Sequence, residues 1–348
     1  MSFIMNIRSV AKYESKILVR SWFFRIFTLL AVVFLGFFNF AMMLMEDNFG
    51  LWFAKSVSSN IPYLNLLLLN TGQAVVAVFL SSEFLKRDKK LDTSEVFYVR
   101  PLSNAEYVVG KIWGNLRVFL FLNLLVLAIV LAFNFMASGV TVDLPAYLVY
   151  FFLISIPTLI FIIGLSIFLM LLLNNQALTF ILLLGYIGLT LFYIQDKFYY
   201  LFDYMVYNLP LFKSTIVGFS NLELILNHRA IYFFAGLGFI FFTIFLFKRL
   251  PNARRSHYPW LFLSFCMFLL MVTAGFRHVR SILWEGEMRA LYTSINNKYV
   301  YEPKMAIDYY DISVEQKSET IRSVVGMEGT ALAASEVFIF CLNPGLRV

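Results

Sequence analysis

Residues 144–173, LPAYLVYFFLISIPTLIFIIGLSIFLMLLL, form a run of thirty residues without one charged side chain. A helix of roughly 17–25 apolar residues crosses the hydrocarbon core of a bilayer, so this run is long enough to do so. The whole chain of 348 residues is 60% hydrophobic and 14% charged, with a mean hydropathy of +0.77. Soluble proteins carry about 25% charged residues. This composition excludes a soluble enzyme and a disordered chain, and predicts an all-α polytopic membrane protein.

Six further stretches are also long and apolar enough to span a bilayer. The seven predicted transmembrane helices are Trp22–Met45, Asn60–Leu85, Ile112–Phe135, Leu144–Leu173, Gln176–Ile194, Ala230–Phe247 and Trp260–Phe276. Six of them fall in a core of residues 22–250, and the seventh lies within 251–276.

The distribution of Lys and Arg predicts the orientation in the membrane. Segments 1–25, 83–117 and 248–255 hold sixteen of these residues, whereas the short loops on the other side hold only Lys55, Lys197, Lys213 and Arg229. Basic residues are retained on the cytoplasmic side, so the N-terminus is expected in the cytoplasm. Seven spans then place the C-terminus outside a cytoplasmic (inner) membrane.

Residues 1–21 predict an amphipathic helix that lies in the cytoplasmic interface. Apolar residues from Ile4 to Leu18 share one face, and Arg8, Lys12, Lys16 and Arg20 recur every four residues on another. Such a basic stripe suits anionic headgroups. An ordinary basic segment beside the first span fits the spacing equally well.

The predicted cytoplasmic loop, residues 83–111, mixes six basic with five acidic side chains and therefore suggests a folded surface that meets another protein. Pro101 ends a short apolar segment, Ser94–Arg100. Ser103 and Glu106 have the spacing of a capping box, which predicts a helix that continues into the third span. A solvated loop that only fixes orientation is the alternative.

The predicted external segment, residues 196–229, is rich in aromatic side chains and too polar to span. It predicts one or two interfacial or re-entrant helices, either as an aromatic belt or as a lid over a lateral cavity. From Arg277 the composition becomes that of a water-exposed chain. Segments 306–315 and 335–342 predict a half-buried strand and a second, apolar strand. We interpret 277–348 as the start of an incomplete extracytoplasmic β domain.

No catalytic, cofactor-binding or metal-binding residue is expected in this chain. Phosphate-loop and H-E-x-x-H sequences are absent, and the three histidines are scattered at span ends. No ionisable residue falls inside a predicted span away from its ends, which argues against a secondary transporter or proton pump. Several polar residues of the second span either bond to neighbouring helices or line a substrate path. They are Asn60, Asn65, Asn70, Thr71 and Gln73.

The basic helix and the loop together resemble the permease subunit of a type-2 ATP-binding-cassette exporter. The resemblance rests on the first six spans and on a loop run of acidic, basic and then P-x-S-x-x-E-Y-x-x-G-K character. The residues for which it implies docking of an ATPase subunit are Glu83, Arg87, Arg100, Pro101, Ser103, Glu106 and Lys111. It also implies a homodimer or heterodimer of permeases, with ATP bound by the partner ATPase.

The seventh span and the tail resemble a fused architecture in which such a permease continues into an extracytoplasmic domain like the zinc aminopeptidases. The residues from Ile307 to Val348 resemble the opening strands of that domain, and its zinc ligands would lie beyond Val348. Two other functions stay open from the sequence. One is the membrane anchor of such a peptidase, and the other is a scaffold that transports nothing.

Overall fold

The structure is a computed structural model that describes residues 3–44, 57–90, 102–136, 142–209, 211, 213–214, 218–219, 221–247, 258–302, 305–317, 320–335 and 337–340. Of residues 82–90 it describes the backbone. The helices are α1 (Phe3–Arg20), α2 (Trp22–Leu44), α3 (Asn60–Lys90), α4 (Asn104–Met136), α5 (Leu144–Tyr150), α6 (Ile156–Leu173), α7 (Gln176–Leu189), α8 (Leu222–Leu246) and α9 (Tyr258–Lys298). Single π-helical turns, Phe151–Ser155 and Thr190–Ile194, follow α5 and α7.

Among the described residues, seven helical stretches are long and apolar enough to cross a membrane, which confirms the prediction of an all-α polytopic membrane protein. α5, its π-turn and α6 together form one of them. Helices dominate because a bilayer offers no partner for backbone N–H and C=O groups, so each span must satisfy its own. Most predicted bounds agree closely with these helices. α8, however, begins eight residues before the predicted start at Ala230, and α9 continues 22 residues past Phe276.

Local signals explain where several helices begin and end. Asn174 adopts a left-handed conformation (φ 49°) and ends α6 by donating its N–H to the Met170 carbonyl. The next residue, Asn175, caps α7 through its side-chain oxygen. Two asparagines therefore make a tight turn between two apolar helices. Asp143 caps α5 in the same way, by accepting from Ala146 N at 3.2 Å.

The bundle is arranged around α3. In its apolar part 67% of residues are buried, against 17%, 22% and 11% for α2, α7 and α9, which present most of their surface to lipid. α8 packs closely on α6 through glycines: a Cβ on Gly236 would lie 2.7 Å from the Ile160 backbone, and one on Gly164 would lie 2.6 Å from the Gly236 carbonyl. Small residues at such crossings let two backbones touch.

Polar side chains of α3 bond to neighbouring helices. Asn65 and Asn39 of α2 exchange amide hydrogen bonds of 2.7 and 3.1 Å. Deeper in the core, Gln73 bonds to Asn70 (2.6 Å) and accepts from Asn123 of α4 (2.9 Å), and Ser155 donates to Asn123 at 2.7 Å. All are buried. The structure therefore supports the interpretation that these polar residues of the second span bond to neighbouring helices.

The C-terminal part differs from the prediction. α9 has 41 residues, or about 60 Å at 1.5 Å per residue, twice the hydrocarbon thickness of about 30 Å. An antiparallel hairpin follows, with β3 (Met305–Lys317) and β4 (Thr320–Ala331) in register at Ile312↔Val325. A further short pair, β1 (Lys213–Ser214) and β2 (Gly218–Phe219), precedes α8.

The predicted strand at 306–315 is confirmed within β3, but the expectation that it is half-buried is wrong. Ile312 and Val314 are 56% and 61% exposed, because two strands alone cover neither face. The predicted strand at 335–342 is also wrong for its described residues, Ser335 and 337–340, which are not extended in a sheet. The backbone of β3 instead pairs with β4, the segment directly after it. Residues 341–342 lie outside the described residues.

Candidate functional site

The structure describes the side chains of three of the seven predicted docking residues. Ser103, Glu106 and Lys111 lie at the start of α4. Glu83 and Arg87 belong to the part of α3 where only the backbone is described, and Arg100 and Pro101 lie outside the described residues.

The capping box forms as predicted. Ser103 N donates to Glu106 Oε2 at 2.6 Å, and Glu106 N donates to Ser103 Oγ at 3.1 Å, so the first turn of α4 is fixed by its own sequence. The other oxygen of Glu106 accepts from Asn6 of α1 at 2.9 Å. Glu106 is buried. Its carboxylate therefore holds α1 against α4 and does not form part of an open surface.

A buried ion pair joins the same two helices. Lys111 Nζ lies 2.6 Å from Glu14 Oε1, and the two side chains are 0% and 4% exposed. Two charges removed from water are stable together only with close geometry, and removal of either partner leaves an uncompensated charge. Sequence reasoning missed Glu14, although Ala11, three residues before it, and Leu18, four residues after it, place it on the packed face of α1.

Glycines allow α1 to lie directly on α4. A Cβ on Gly110 would lie 2.7 Å from Val10 Cβ, and one on Gly114 would lie 2.7 Å from Glu14 Cβ. Their four-residue spacing is the small-x-x-x-small pattern of closely packed helices, a signal that could have located this contact. At the second glycine, Ser15 Oγ donates to the Gly114 carbonyl at 2.7 Å. We call α1 and residues 103–117 the α1–α4 unit.

The α1–α4 unit has one contact surface and one free charged surface. Arg117 Nη2 donates to the Ala11 carbonyl at 2.8 Å and adds to the contact. Arg8, Lys12, Lys16 and Arg20 are all exposed, away from α4. The unit also reaches α8, because Asn104 Nδ2 donates to the Phe247 carbonyl at 2.5 Å and the Tyr107 ring stacks on Phe247.

At the opposite end of the bundle, residues 198–209 form an irregular segment that is partly buried. We call it the plug segment. The sequence predicts one or two interfacial or re-entrant helices within 196–229. The described residues from Phe198 to Asn221 contain a short helical turn at Phe198–Tyr200 and no such helix, and residues 222–229 belong to α8. Tyr204, Met205 and Val206 are completely buried, whereas Phe198 remains 63% exposed. Only part of the predicted aromatic belt therefore faces outward.

The plug segment has strained backbone that helix side chains hold in place. Four of its residues, Phe198, Tyr199, Tyr200 and Val206, have φ between 53° and 69°, a region that non-glycine residues rarely adopt. Carbonyl groups of the segment accept hydrogen bonds from four helices. The donors are Tyr63 of α3, Thr158 of α6, His228, Arg229 and Tyr232 of α8, and His278 of α9.

Arg229 is the central donor to the plug segment. Its guanidinium reaches Tyr204 O (2.9 Å), Leu153 O (2.6 Å), Ile154 O and Thr158 Oγ1 (2.8 Å). The Leu153 carbonyl is free to accept because Pro157, four residues later, has no N–H. Arg229 is only 2% exposed and lies inside α8. Its assignment to a short external loop, and with it the absence of charge inside the spans, is therefore wrong.

Asp203 lies near this guanidinium without a direct ion pair. Its Oδ2 accepts from Asn208 N at 2.9 Å, and the side chain is fully buried. Burial raises the pKa of Asp203, while hydrogen bonds from the plug backbone and the positive charge of Arg229 oppose the rise. Asp203 is thus held mainly by the backbone of the plug segment.

Comparison with known proteins assigns neither site. No protein-family model matches this chain, and a search of curated proteins gives no match either.

We expect the Glu14–Lys111 pair to fix α1 on α4. Glu14→Met or Lys111→Met should each lower the unfolding free energy by about 3–5 kcal/mol, because a buried charge loses its partner. The double variant Glu14→Met/Lys111→Met should lose less than the sum of the two. Thermal unfolding of the purified protein measures all three. The matched control is Lys317→Met, which breaks the exposed Glu315–Lys317 pair and should shift nothing. If the loss of unfolding free energy in the double variant equals the sum of the two single losses, the two charges are not coupled.

We expect Arg229 to hold the plug segment. In Arg229→Lys a compact ammonium group with three donors replaces a planar guanidinium with five, so it cannot reach all four acceptors. Amide hydrogen exchange of residues 199–209 should become at least about tenfold faster, while exchange in α4 stays unchanged. Arg322→Lys, on the exposed hairpin, is the control. Unchanged exchange in the plug segment of Arg229→Lys would show that other donors suffice.

Proposed function

We propose that the chain is the permease subunit of an ATP-binding-cassette transporter, which moves a substrate across a cytoplasmic membrane with a separate ATPase subunit. The observation that supports this most strongly is the α1–α4 unit. The last part of the loop run that resembles the exporter permeases contains the capping box of α4 and continues into the helix on which α1 is locked. A force applied to α1 or to the start of α4 would therefore reach the bundle through a rigid helix–helix contact.

The docking surface in this proposal is the exposed side of the unit. Glu106 and Lys111 are buried, so their role is to make the surface rigid. Lys12 and Lys16 on the exposed face of α1, together with the loop residues Glu83 and Arg87, would contact the ATPase. Closure of two ATPase subunits around ATP would push on this surface, in a homodimer or heterodimer of permeases.

Two paths in the bundle would carry that motion. One runs along α4 to Asn123, whose amide belongs to the buried network with α3 and Ser155. The other passes from Asn104 to Phe247 at the end of α8, and along α8 to Arg229 and the plug segment. The plug segment would then open and close the outer side of the pathway, while the α1–α4 unit moves on the inner side.

A second function is favoured by one separate observation. α9 continues in one helix well beyond the length that a membrane needs, and its hairpin exposes Tyr310, Ile312 and Val314 on one face. A long helix followed by a hairpin with an exposed apolar face suits the membrane anchor of an extracytoplasmic zinc-aminopeptidase-like enzyme. A permease fused to such a domain would combine both functions.

The orientation can be tested by thiol labelling. In a chain with Cys266 and Cys341 replaced by Ser, a cysteine at Ser318 should react with a membrane-impermeant maleimide in intact cells. A cysteine at Ser94 should react only after the cells are broken, because sixteen basic residues hold that side in the cytoplasm. Equal labelling of both positions in intact cells, or the reverse pattern, would refute the proposed orientation.

The docking surface can be tested by charge reversal. Lys12→Glu/Lys16→Glu and, separately, Glu83→Lys or Arg87→Glu should each weaken retention of the ATPase subunit about tenfold, as expected for a lost interface charge pair. The tagged chain is purified from its own host at matched membrane levels, and the retained ATPase is quantified by photolabelling with azido-ATP.

Two controls separate docking from folding. Arg322→Glu, on the hairpin, makes the same charge change as Arg87→Glu and should retain the ATPase fully. Unfolding temperatures of the α1 variants should equal that of the unaltered chain, because Lys12 and Lys16 are exposed. If the α1 and loop variants retain as much ATPase as Arg322→Glu, the proposed docking surface is wrong.

A further inference from the structure

A groove of about 550 Å³ lies between the first turn of α8 and the middle of α9, at the end of the bundle opposite α1. α8 contributes Asn221–Leu224. α9 contributes Arg277, Arg280, Ser281, Trp284 and Glu285. Neither the ATPase docking surface nor the plug segment uses these charged side chains. The volume is within the range of sites that bind small molecules.

The groove lies where α9 leaves the membrane. The apolar part of α9, Tyr258–Phe276, is about 28 Å long and matches the hydrocarbon core of about 30 Å. Phe262, Phe265 and Phe276 on this part are more than 60% exposed, as expected for lipid-facing side chains. Trp284, 59% exposed, follows two turns later, and tryptophan is enriched at the level of the headgroups. The groove is therefore at headgroup depth.

The charges that line the groove have both signs and cancel. Arg277 and Arg280 offer two guanidinium groups, which suit phosphate oxygens. Glu223 and Glu285 offer two carboxylates, which accept hydrogen bonds from an ammonium group. Glu285 also lies 4.0 Å from Arg289 Nη2 in an exposed contact one turn along α9. A headgroup with a phosphate alone would offer no hydrogen-bond donor to either carboxylate. A quaternary ammonium has no N–H to donate to them.

We propose that this groove binds the headgroup of phosphatidylethanolamine, with the phosphate on Arg277 and Arg280 and the primary ammonium on Glu223 and Glu285. The acyl chains would run along the lipid-facing side of α9, past Phe276. The proposal needs only the membrane location of α8 and α9, so it does not depend on the transport function.

Native mass spectrometry of the full chain in detergent, titrated with single lipids, tests this site. Dioleoyl phosphatidylethanolamine should bind at least about tenfold more tightly than the phosphatidylcholine or phosphatidylglycerol with the same chains. Arg277→Gln/Arg280→Gln should weaken its binding about tenfold or more. Glu223→Gln/Glu285→Gln should remove the preference over phosphatidylcholine. Lys298→Gln, near the end of the same helix, should change neither value.

Three results would overturn the proposal. They are equal affinity for all three lipids, a preference for phosphatidylglycerol, and glutamine variants that behave as the Lys298→Gln control does. A further arm uses free phosphoethanolamine, which lacks the acyl chains and should not compete at concentrations that saturate the lipid. If it competes as well as the lipid does, the ligand is a soluble zwitterion and the assignment to a lipid is wrong.

Discussion

A polar group buried in this bundle can be hydrogen-bonded only by a partner inside the protein, because the hydrocarbon core offers none. This constraint explains the most specific contacts in the structure. The amides of Asn70 and Asn123 bond to each other's helices, and Lys111 pairs with Glu14. The guanidinium of Arg229 donates to the Leu153 carbonyl, which Pro157 leaves without a helical donor, and to the Tyr204 carbonyl of the plug segment. These contacts also fix which helices lie together, since apolar packing alone would allow many arrangements.

The two ends of the bundle are stiffened in different ways, and the proposed transport function depends on that difference. At one end, glycines and an ion pair join α1 to α4 over a continuous helix–helix contact. At the other, side-chain donors hold strained backbone, which stays in place only while those donors remain aligned. α8 touches both ends, through Phe247 and Arg229. A small rotation of α8 would therefore change the plug segment far more than the α1–α4 unit.

The sequence predicts the spans and the capping box because both signals are local. The length of a span such as Leu144–Leu173 can be read directly from consecutive apolar residues, and Ser103 and Glu106 are only one helical turn apart. The ion pair of Lys111 joins residues 97 positions apart, and Arg229 reaches carbonyls 76 positions away, so no local pattern shows either partner. Arg229 also follows a loop rich in aromatic residues, which makes it resemble a loop residue. The strand predicted at 335–342 does not form at its described residues, Ser335 and 337–340, and a strand needs a partner as well as apolar residues.

The central claim, that the α1–α4 unit receives force from an ATPase subunit, is tested most directly by purification from native membranes. The tagged chain is extracted under mild conditions, and the complex is assayed for ATP hydrolysis and identified by mass spectrometry. The account predicts a stoichiometric subunit with a phosphate-loop sequence, and ATP hydrolysis that falls when Lys12 and Lys16 are both changed to Glu. A stable, folded chain that purifies without any nucleotide-binding subunit, and without ATP hydrolysis, would contradict it.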